Sequence, residues 1–305
     1  MEIGIQITGL LIAVAALAQL VLTLRMSFYQ YRVRRRMLHQ HIAYSQQTFE
    51  THIFNQEQIR EQAGLAWSGY RKFQVDRKVY EDKNGNICSF YLRPHDGKGL
   101  PTFKAGQFLT LRVDTVAAAE RRRGVSLVRC YSLSDFSRNP DYYRITVKRL
   151  TPPLADHEVL PGRASNHLHD NISQGDILDF EAPRGKFYLD LASQAPVVLV
   201  GGGIGVTPVL SMLNAIAETD SKREVWFFYG IRDSTEIIMS DHLEKLSREK
   251  ENFHLHICYS NPQEDEIRES NKHRGYISVD LFKRLLPSNN YRFYVCGPTA
   301  MMRSI

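Results

Sequence analysis

PVVLVGGGIGVTP, residues 196–208, decides how the chain is divided. Val197 to Val200 form a continuous apolar run, the pattern of a strand buried on both faces. Glycines follow at once, and then Val209, Leu210, Met212, Leu213 and Ile216 recur with the spacing of a helix inner face. The motif Gly203-Ile204-Gly205-Val206-Thr207-Pro208 therefore joins a strand to a helix. Backbone without side chains, free N–H groups and the positive end of a helix dipole can there face a pyrophosphate. Thr207 is placed as the N-cap and Pro208 at the first helical position. Taken alone, the turn is a weak signal, because such a turn often serves only tight packing and the third glycine of the usual dinucleotide fingerprint is missing.

Working outward from this stretch, VWFFYG, FHLHICYS and YRFYVCGP are further buried strands at spacings of about 30 residues, separated by helical stretches such as SDHLEKLSREK. That alternation predicts an α/β doubly wound parallel sheet over residues 192–305. Upstream the grammar differs. YRKFQVDRKVY, an Asn84-Gly85 turn and ICSFYLRP read as a tight β-hairpin. GQFLTLRV, LVRCYSLS, YYRITVKRL, DILDFEAP and KFYLDL continue a series of short strands, with one helix-like insert near 165–170. These predict an antiparallel β-barrel over residues 67–191.

The net charge of +6 is concentrated near the start, where Arg25, Arg32, Arg34, Arg35 and Arg36 follow an apolar run. Without the first 36 residues there remain 34 basic against 32 acidic side chains, so no nucleic-acid footprint is expected. Ile3 to Leu24 are 22 residues with no ionisable side chain, long enough to cross the ~30 Å hydrocarbon layer. The sequence thus predicts a transmembrane anchor over 1–24, in contact with membrane lipid, and a basic juxtamembrane segment and stalk over 25–66. The positive-inside rule would put the catalytic part in the cytoplasm as a single-pass membrane protein. A cleaved signal peptide or an oligomerising helix is the alternative. Cys88, Cys130, Cys258 and Cys296 are too dispersed for a zinc site or disulfide framework. The stalk histidines His39, His41 and His52 have no partner ligands, so no metal is assigned.

Four motifs remain: Arg129-x-Tyr131-Ser132, Gly162-x-x-Ser165, Gly203-x-Gly205-x-x-Pro208 and Cys296-Gly297-Pro298. In this order, over residues 67 to 302, they resemble the ferredoxin:NADP reductase superfamily, and closest the FAD/NAD(P)H reductase modules of flavohaemoglobins and oxygenase electron-transfer systems. The resemblance implies that Arg129 holds the flavin phosphate, Tyr131 packs on the isoalloxazine ring and Ser132 lies near its N5 edge. Thr146, Val147 and Lys148 would meet the flavin edge through the backbone. Gly162, Ser165 and Asn166 open a short helix able to take a second phosphate, which favours FAD over FMN. Gly203, Gly205, Thr207 and Pro208 would face the nucleotide. Cys296 would lie close to the nicotinamide C4, positioning the ring with Gly297 and Pro298; Ser132 and Cys296 are thus the candidate catalytic residues. Arg232, after the second nucleotide strand, is a candidate for a 2′-phosphate, but NADH and NADPH both stay open.

The resemblance further implies a redox acceptor protein or domain carrying iron–sulfur or haem. The family continues past the Cys-Gly-Pro strand with a helix and a terminal segment, whereas Met301 and Met302 stand near the end here, and no plant-type cluster ligands occur in the sequence. The leading expectation is a membrane-anchored NAD(P)H-dependent flavin oxidoreductase. Its rival is a non-catalytic, membrane-tethered flavin or nucleotide redox sensor, suggested by the long stalk from Met37 to Ala66.

Overall fold

A computed structural model describes residues 65–115, 125–150, 162–219, 221–263 and 266–305. The expected anchor and nearly all of the expected stalk lie outside these residues. Six strands form the first sheet: β1 (Arg71–Tyr80), β2 (Ile87–Pro94), β3 (Phe108–Thr115), β4 (Val125–Ser132), β5 (Tyr143–Lys148) and β6 (Ile177–Arg184). Their order is β4-β3-β6-β1-β2-β5 and all pairings are antiparallel. An antiparallel bridge between Leu133 and Ile145 joins the two edges, so the sheet curls into a barrel. Period-two alternation produces this: Phe73 and Val75 are fully buried while Lys72 and Gln74 face solvent. Phe90, Leu92, Leu109, Leu111, Ile145 and Phe180 fill the same interior. The helix-like insert is α1 (Arg163–Asn171), which buries Ala164, Leu168 and His169.

Two local expectations are corrected. The β1–β2 connection is a six-residue loop, in which Asp82 accepts from the Ile87 amide at 2.7 Å and only Gly85 has a positive φ, 68°. A two-residue turn would have needed Asn84 in that region as well. KFYLDL is not a strand. It is tied to the barrel by Leu189 N–H to Ala105 O, 2.9 Å, and it carries the chain toward the second sheet.

The second sheet is parallel throughout: β7 (Val197–Gly202), β8 (Val225–Ile231), β9 (Phe253–Tyr259), β10 (Lys272–Arg274) and β11 (Arg292–Cys296), in the order β10-β9-β8-β7-β11. Helices cover both faces. Val197 and Leu199 pack with α2 (Val206–Glu218) and α3 (Ser240–Glu249). Val198 and Val200 pack with α4 (Val279–Leu285), and Met301 of α5 (Thr299–Ser304) lies against this second face. A strand covered on both sides must be apolar at every position, which explains the unbroken Val-Val-Leu-Val. After β7 the order runs outward through β8, β9 and β10, then returns to place β11 on β7's other side. The strand order thus reverses between β7 and β11, the place where open α/β sheets leave a crevice at their carboxyl ends.

The expected localisation, a single membrane pass with the catalytic part cytoplasmic, is corrected. Among the described residues no helix is long and apolar enough to cross a membrane. The longest described helix, α2, has 13 residues, about 20 Å against the ~30 Å hydrocarbon layer, and its apolar side is used up against the sheet. The 1–24 run on which that expectation rested lies outside the described residues, and membrane lipid is not retained as a partner.

Candidate functional site

The carboxyl ends of β7 and β11 meet through glycine. A Cβ added at Gly205 would lie 2.6 Å from the Cys296 carbonyl oxygen and 2.6 Å from Gly297 Cα. One at Gly202 would lie 2.9 Å from Pro298 and 2.6 Å from the Met301 sulfur. Gly203 is different: its φ is +52° and nothing lies within 4 Å of its missing Cβ, so it supplies the left-handed turn and faces open space. Gly203–Gly205 form a short 3-10 turn, so helical rotation begins before α2. This corrects the expected cap. Thr207 stands second in α2 and Pro208 third; the N-cap position is Gly205, and the Thr207 hydroxyl donates back to Ile204 O at 3.0 Å. No side chain caps α2; the Val206 N–H is taken up within the turn by Gly203 O and Ile204 O, and Pro208 has no N–H to satisfy.

Cys296 is half-buried at the end of β11, level with Gly201 of β7. Burial raises its thiol pKa, which keeps it protonated and fits a contact role better than that of a nucleophile. Arg232 is exposed just beyond β8, with its Nε 3.7 Å from Asp233 Oδ2, so its charge is shared with a neighbouring carboxylate.

On the barrel side, β4 carries Arg129, Tyr131 and Ser132. Arg129 is exposed; its Nη1 donates to Val128 O at 2.8 Å, and no carboxylate pairs with it among the described residues. Tyr131 is half-buried against the barrel core, and burial pushes its phenol up to about 12 although Arg129 pulls it down, so it stays neutral. The bridge between Leu133 and Ile145 sets the local register, which continued by two residues would set Tyr131 level with Val147.

The β5 residues divide. The Thr146 hydroxyl is buried within hydrogen-bond distance of Ser89 Oγ (2.8 Å) and Ser134 Oγ (2.7 Å), and so is turned into the barrel. Val147 O lies 3.0 Å from His169 Nε2, and the Lys148 ammonium pairs with Glu236 of the second domain at 3.1 Å. Beyond β5, Gly162 N–H donates to Leu150 O at 3.2 Å, and Ser165 Oγ accepts from Leu150 N–H at 3.3 Å. A Cβ at Gly162 would strike Ser165 Oγ at 2.5 Å and Leu150 Cβ at 2.7 Å, so this turn needs glycine. No side chain caps the N-terminus of α1, and Asn166 Oδ1 is buried without a hydrogen-bond partner.

These features form one constellation. β5 lies against the Gly203–Gly205 turn, so the barrel strand and the glycine loop meet at the crevice. The donor set suits FAD and a nicotinamide nucleotide: a guanidinium without a carboxylate partner, an aromatic face, two uncapped helix starts and an orphaned buried acceptor. The motifs gave no sign of Asp135, Arg144 and Asn214, which tie the barrel to α2. Asp135 is only three residues beyond Ser132, but Asn214, which donates to its carboxylate, is 79 residues away in the chain. Only the run of polar residues Ser134-Asp135 in a strand neighbourhood hints at them.

Residues 199–305 match the oxidoreductase NAD-binding domain family. The chain is 38% identical over 245 residues to a flavohemoprotein of Halalkalibacterium halodurans, covering 80% of this chain and 57% of that protein. It is 38% identical over 248 residues to a flavohemoprotein of Rhizobium meliloti, covering 81% and 58%. In structure it is similar to the flavohem-like FAD/NAD binding domain of nitric oxide dioxygenase from Vibrio cholerae, with TM-score 0.65, 27% identity and coverage of 77% of this chain and 90% of that one. It is similar as well to phthalate dioxygenase reductase, with TM-score 0.55, 27% identity and coverage of 77% and 62%. Fold and relatives together indicate an NAD(P)H-dependent flavin oxidoreductase module using FAD. The described region resembles the ferredoxin:NADP reductase superfamily, in keeping with the order of the four motifs. The chain spans 57% of the length of the Halalkalibacterium flavohemoprotein, so that protein's complete activity is not thereby assigned to it.

Proposed function

We propose that this chain takes electrons from NAD(P)H and delivers them, through FAD, to a haem or iron–sulfur acceptor protein or domain. The observation that carries the reading is the meeting of β5 with the glycine turn at the β7–β11 reversal, with Arg129, Tyr131 and Ser132 on the neighbouring strand. Bound FAD supplies the chemistry, accepting a hydride at N5 and passing electrons on singly. The residues bind and orient. Arg129 and the α1 N-terminus, with Gly162, Ser165 and Asn166, would hold the phosphates. Neutral Tyr131 would offer a flat apolar face, and Ser132 a hydroxyl beside the reacting edge. Gly203, Gly205 and Thr207 would present backbone N–H groups to the nucleotide pyrophosphate, beside Pro208, which has no N–H of its own, and the Cys296 thiol, with Gly297 and Pro298, would bound the nicotinamide. The acceptor class is supported by phthalate dioxygenase reductase, described as modular for electron transfer from pyridine nucleotides to [2Fe-2S].

The test is direct. Protein reconstituted with FAD is expected to be yellow, to bleach anaerobically on mixing with NADH or NADPH, and to turn over with ferricyanide as acceptor. Absence of flavin binding and of bleaching with both nucleotides refutes the reading.

A further inference from the structure

We infer that Asp135 is a positioning residue that fixes the distance between the flavin side and the nucleotide side of the site. The inference rests on the function proposed above. Asp135 lies three residues after Ser132, in the loop from β4 to β5, and it grips α2 twice. Its carbonyl oxygen accepts from the Ser211 hydroxyl at 2.9 Å, and its Oδ1 accepts from Asn214 Nδ2 at 2.8 Å. Ser211 is one helical turn after Thr207, so the grip is applied close to the glycine turn. Only three residues of chain separate the clasp from Ser132 on one side, and one turn of helix separates it from Thr207 on the other.

The clasp is itself braced. Asp135 Oδ2 accepts from the Tyr142 hydroxyl at 3.0 Å and pairs with Arg144 Nη1 at 3.5 Å. Arg144, buried in the barrel wall, donates to Ser134 O at 2.6 Å and to Ser134 Oγ at 3.1 Å. Ser134 Oγ lies 2.7 Å from Thr146 Oγ1, which brings β5 into the same network. On the helix side, Asn214 Oδ1 lies 2.8 Å from His242 Nε2 of α3. Asp135 is therefore locked to both strands that border the flavin side and to the helix that begins at the nucleotide side. Satisfied polar networks of this kind, anchored on the buried Ser134, Arg144, Thr146 and Ser211, hold one geometry, whereas a purely apolar contact allows sliding. Reacting atoms about 1 Å out of place cost about a hundredfold in rate, so a ruler at this point bears on hydride transfer without touching either cofactor.

Asn214→Ala removes the side-chain half of the grip and leaves the Ser211 hydrogen bond and the Asp135–Arg144 pair in place. In the FAD-loaded protein the limiting rate of anaerobic bleaching at saturating NADH is expected to fall by about tenfold or more, with FAD affinity unchanged. In the nucleotide-free protein, amide hydrogen exchange over residues 133–142 and 206–214 is expected to quicken. Asn214→Asp sets two carboxylates together and behaves worse. The reciprocal pair Asp135→Asn with Asn214→Asp rebuilds an amide–carboxylate bond in the opposite sense and restores both readouts. Parental bleaching and parental exchange in Asn214→Ala overturn the inference, as does a reciprocal pair no better than Asn214→Asp alone. A parent protein that never bleaches condemns the proposed function instead, and the exchange measurement still decides whether the clasp exists.

Discussion

Gly205→Ala is the sharpest probe of the crevice. The added methyl would start 2.6 Å from the Cys296 carbonyl oxygen and 2.6 Å from Gly297 Cα, whereas ordinary contact begins at 3.4 Å. Both obstacles are backbone, so neither can swing aside. The glycine turn and the end of β11 must part by about 0.8 Å, and forcing atoms into a filled site costs about 1–3 kcal/mol. For a chain of this size that lowers the melting temperature by between about 2 and 12 °C. The same movement carries the Cys296 thiol away from the nucleotide side, so hydride transfer is expected to slow by tens of times to about a hundredfold. Gly203→Ala is the control. Its methyl meets nothing within 4 Å, and its φ of +52° costs about 1–2 kcal/mol of backbone strain, with β7 and β11 left together. Differential scanning calorimetry and rapid anaerobic mixing read the two effects separately. Gly203→Ala should lose stability and keep its limiting rate at saturating nucleotide, while Gly205→Ala loses both. Parental melting and parental rate in Gly205→Ala would refute the close approach on which the site is built.

If Arg129 holds the FAD phosphate as proposed, Arg129→Ala would remove a charge-assisted contact worth about 1.5–3 kcal/mol, so FAD affinity measured by fluorescence titration should drop about tenfold to a hundredfold with the fold intact. An unchanged affinity would move the phosphate site elsewhere. Cys296→Ser keeps size and placement but changes the polarisable contact, so flavin reduction by NADH should slow while flavin content and melting hold; a parental rate with both nucleotides returns this cysteine to packing. Burial, reinforced by His273 and His254, lowers His256 from 6.5 to about 4. Between those values the unfolded chain binds more protons than the folded one, so stability is whole above about pH 6.5 and is lost as pH falls toward 4. His256→Phe, retaining a ring stacked on Trp226 and Phe228, should lessen that acid loss in urea denaturation, and an identical pH dependence in the variant would show that this ring is not its source.

Strand positions were legible where burial leaves a period. Lys72 and Gln74 alternate with Phe73 and Val75, and Val197 to Val200 are apolar throughout, because one sheet is wet on one face and the other is dry on both. β10 left no such trace: it is three residues long, Lys-His-Arg, and pairs only at the edge of the sheet, so no apolar repeat was needed to place it. KFYLDL shows the opposite failure, an alternating pattern whose residues serve a crossing between domains, with Leu189 buried beside the α2 side chains. The Asp135 clasp was out of reach for a third reason. Its partners are contributed by α2 and β5, and a hydrogen bond between distant segments imposes no spacing on either.

The glycine loop shows how far a motif can be read alone. As sequence, Gly201-Gly202-Gly203-Ile204-Gly205 offers several glycines for one task, approach to a pyrophosphate. The structure assigns them different tasks. Gly201 makes room for Val206, whose Cα would lie 2.6 Å from an added Cβ; Gly202 makes room for Pro298 and Met301; Gly205 makes room for Cys296 and Gly297. Gly203 alone combines a left-handed φ with open space before it. Most of the glycine requirement is thus set by β11 and α5, about 90 residues later in the chain. Gly297 returns the same constraint, since a Cβ there would lie 3.0 Å from Gly202 Cα. The glycine turn and Cys-Gly-Pro are two halves of one contact, which is why each motif was weak evidence by itself and why their joint occurrence carried the assignment.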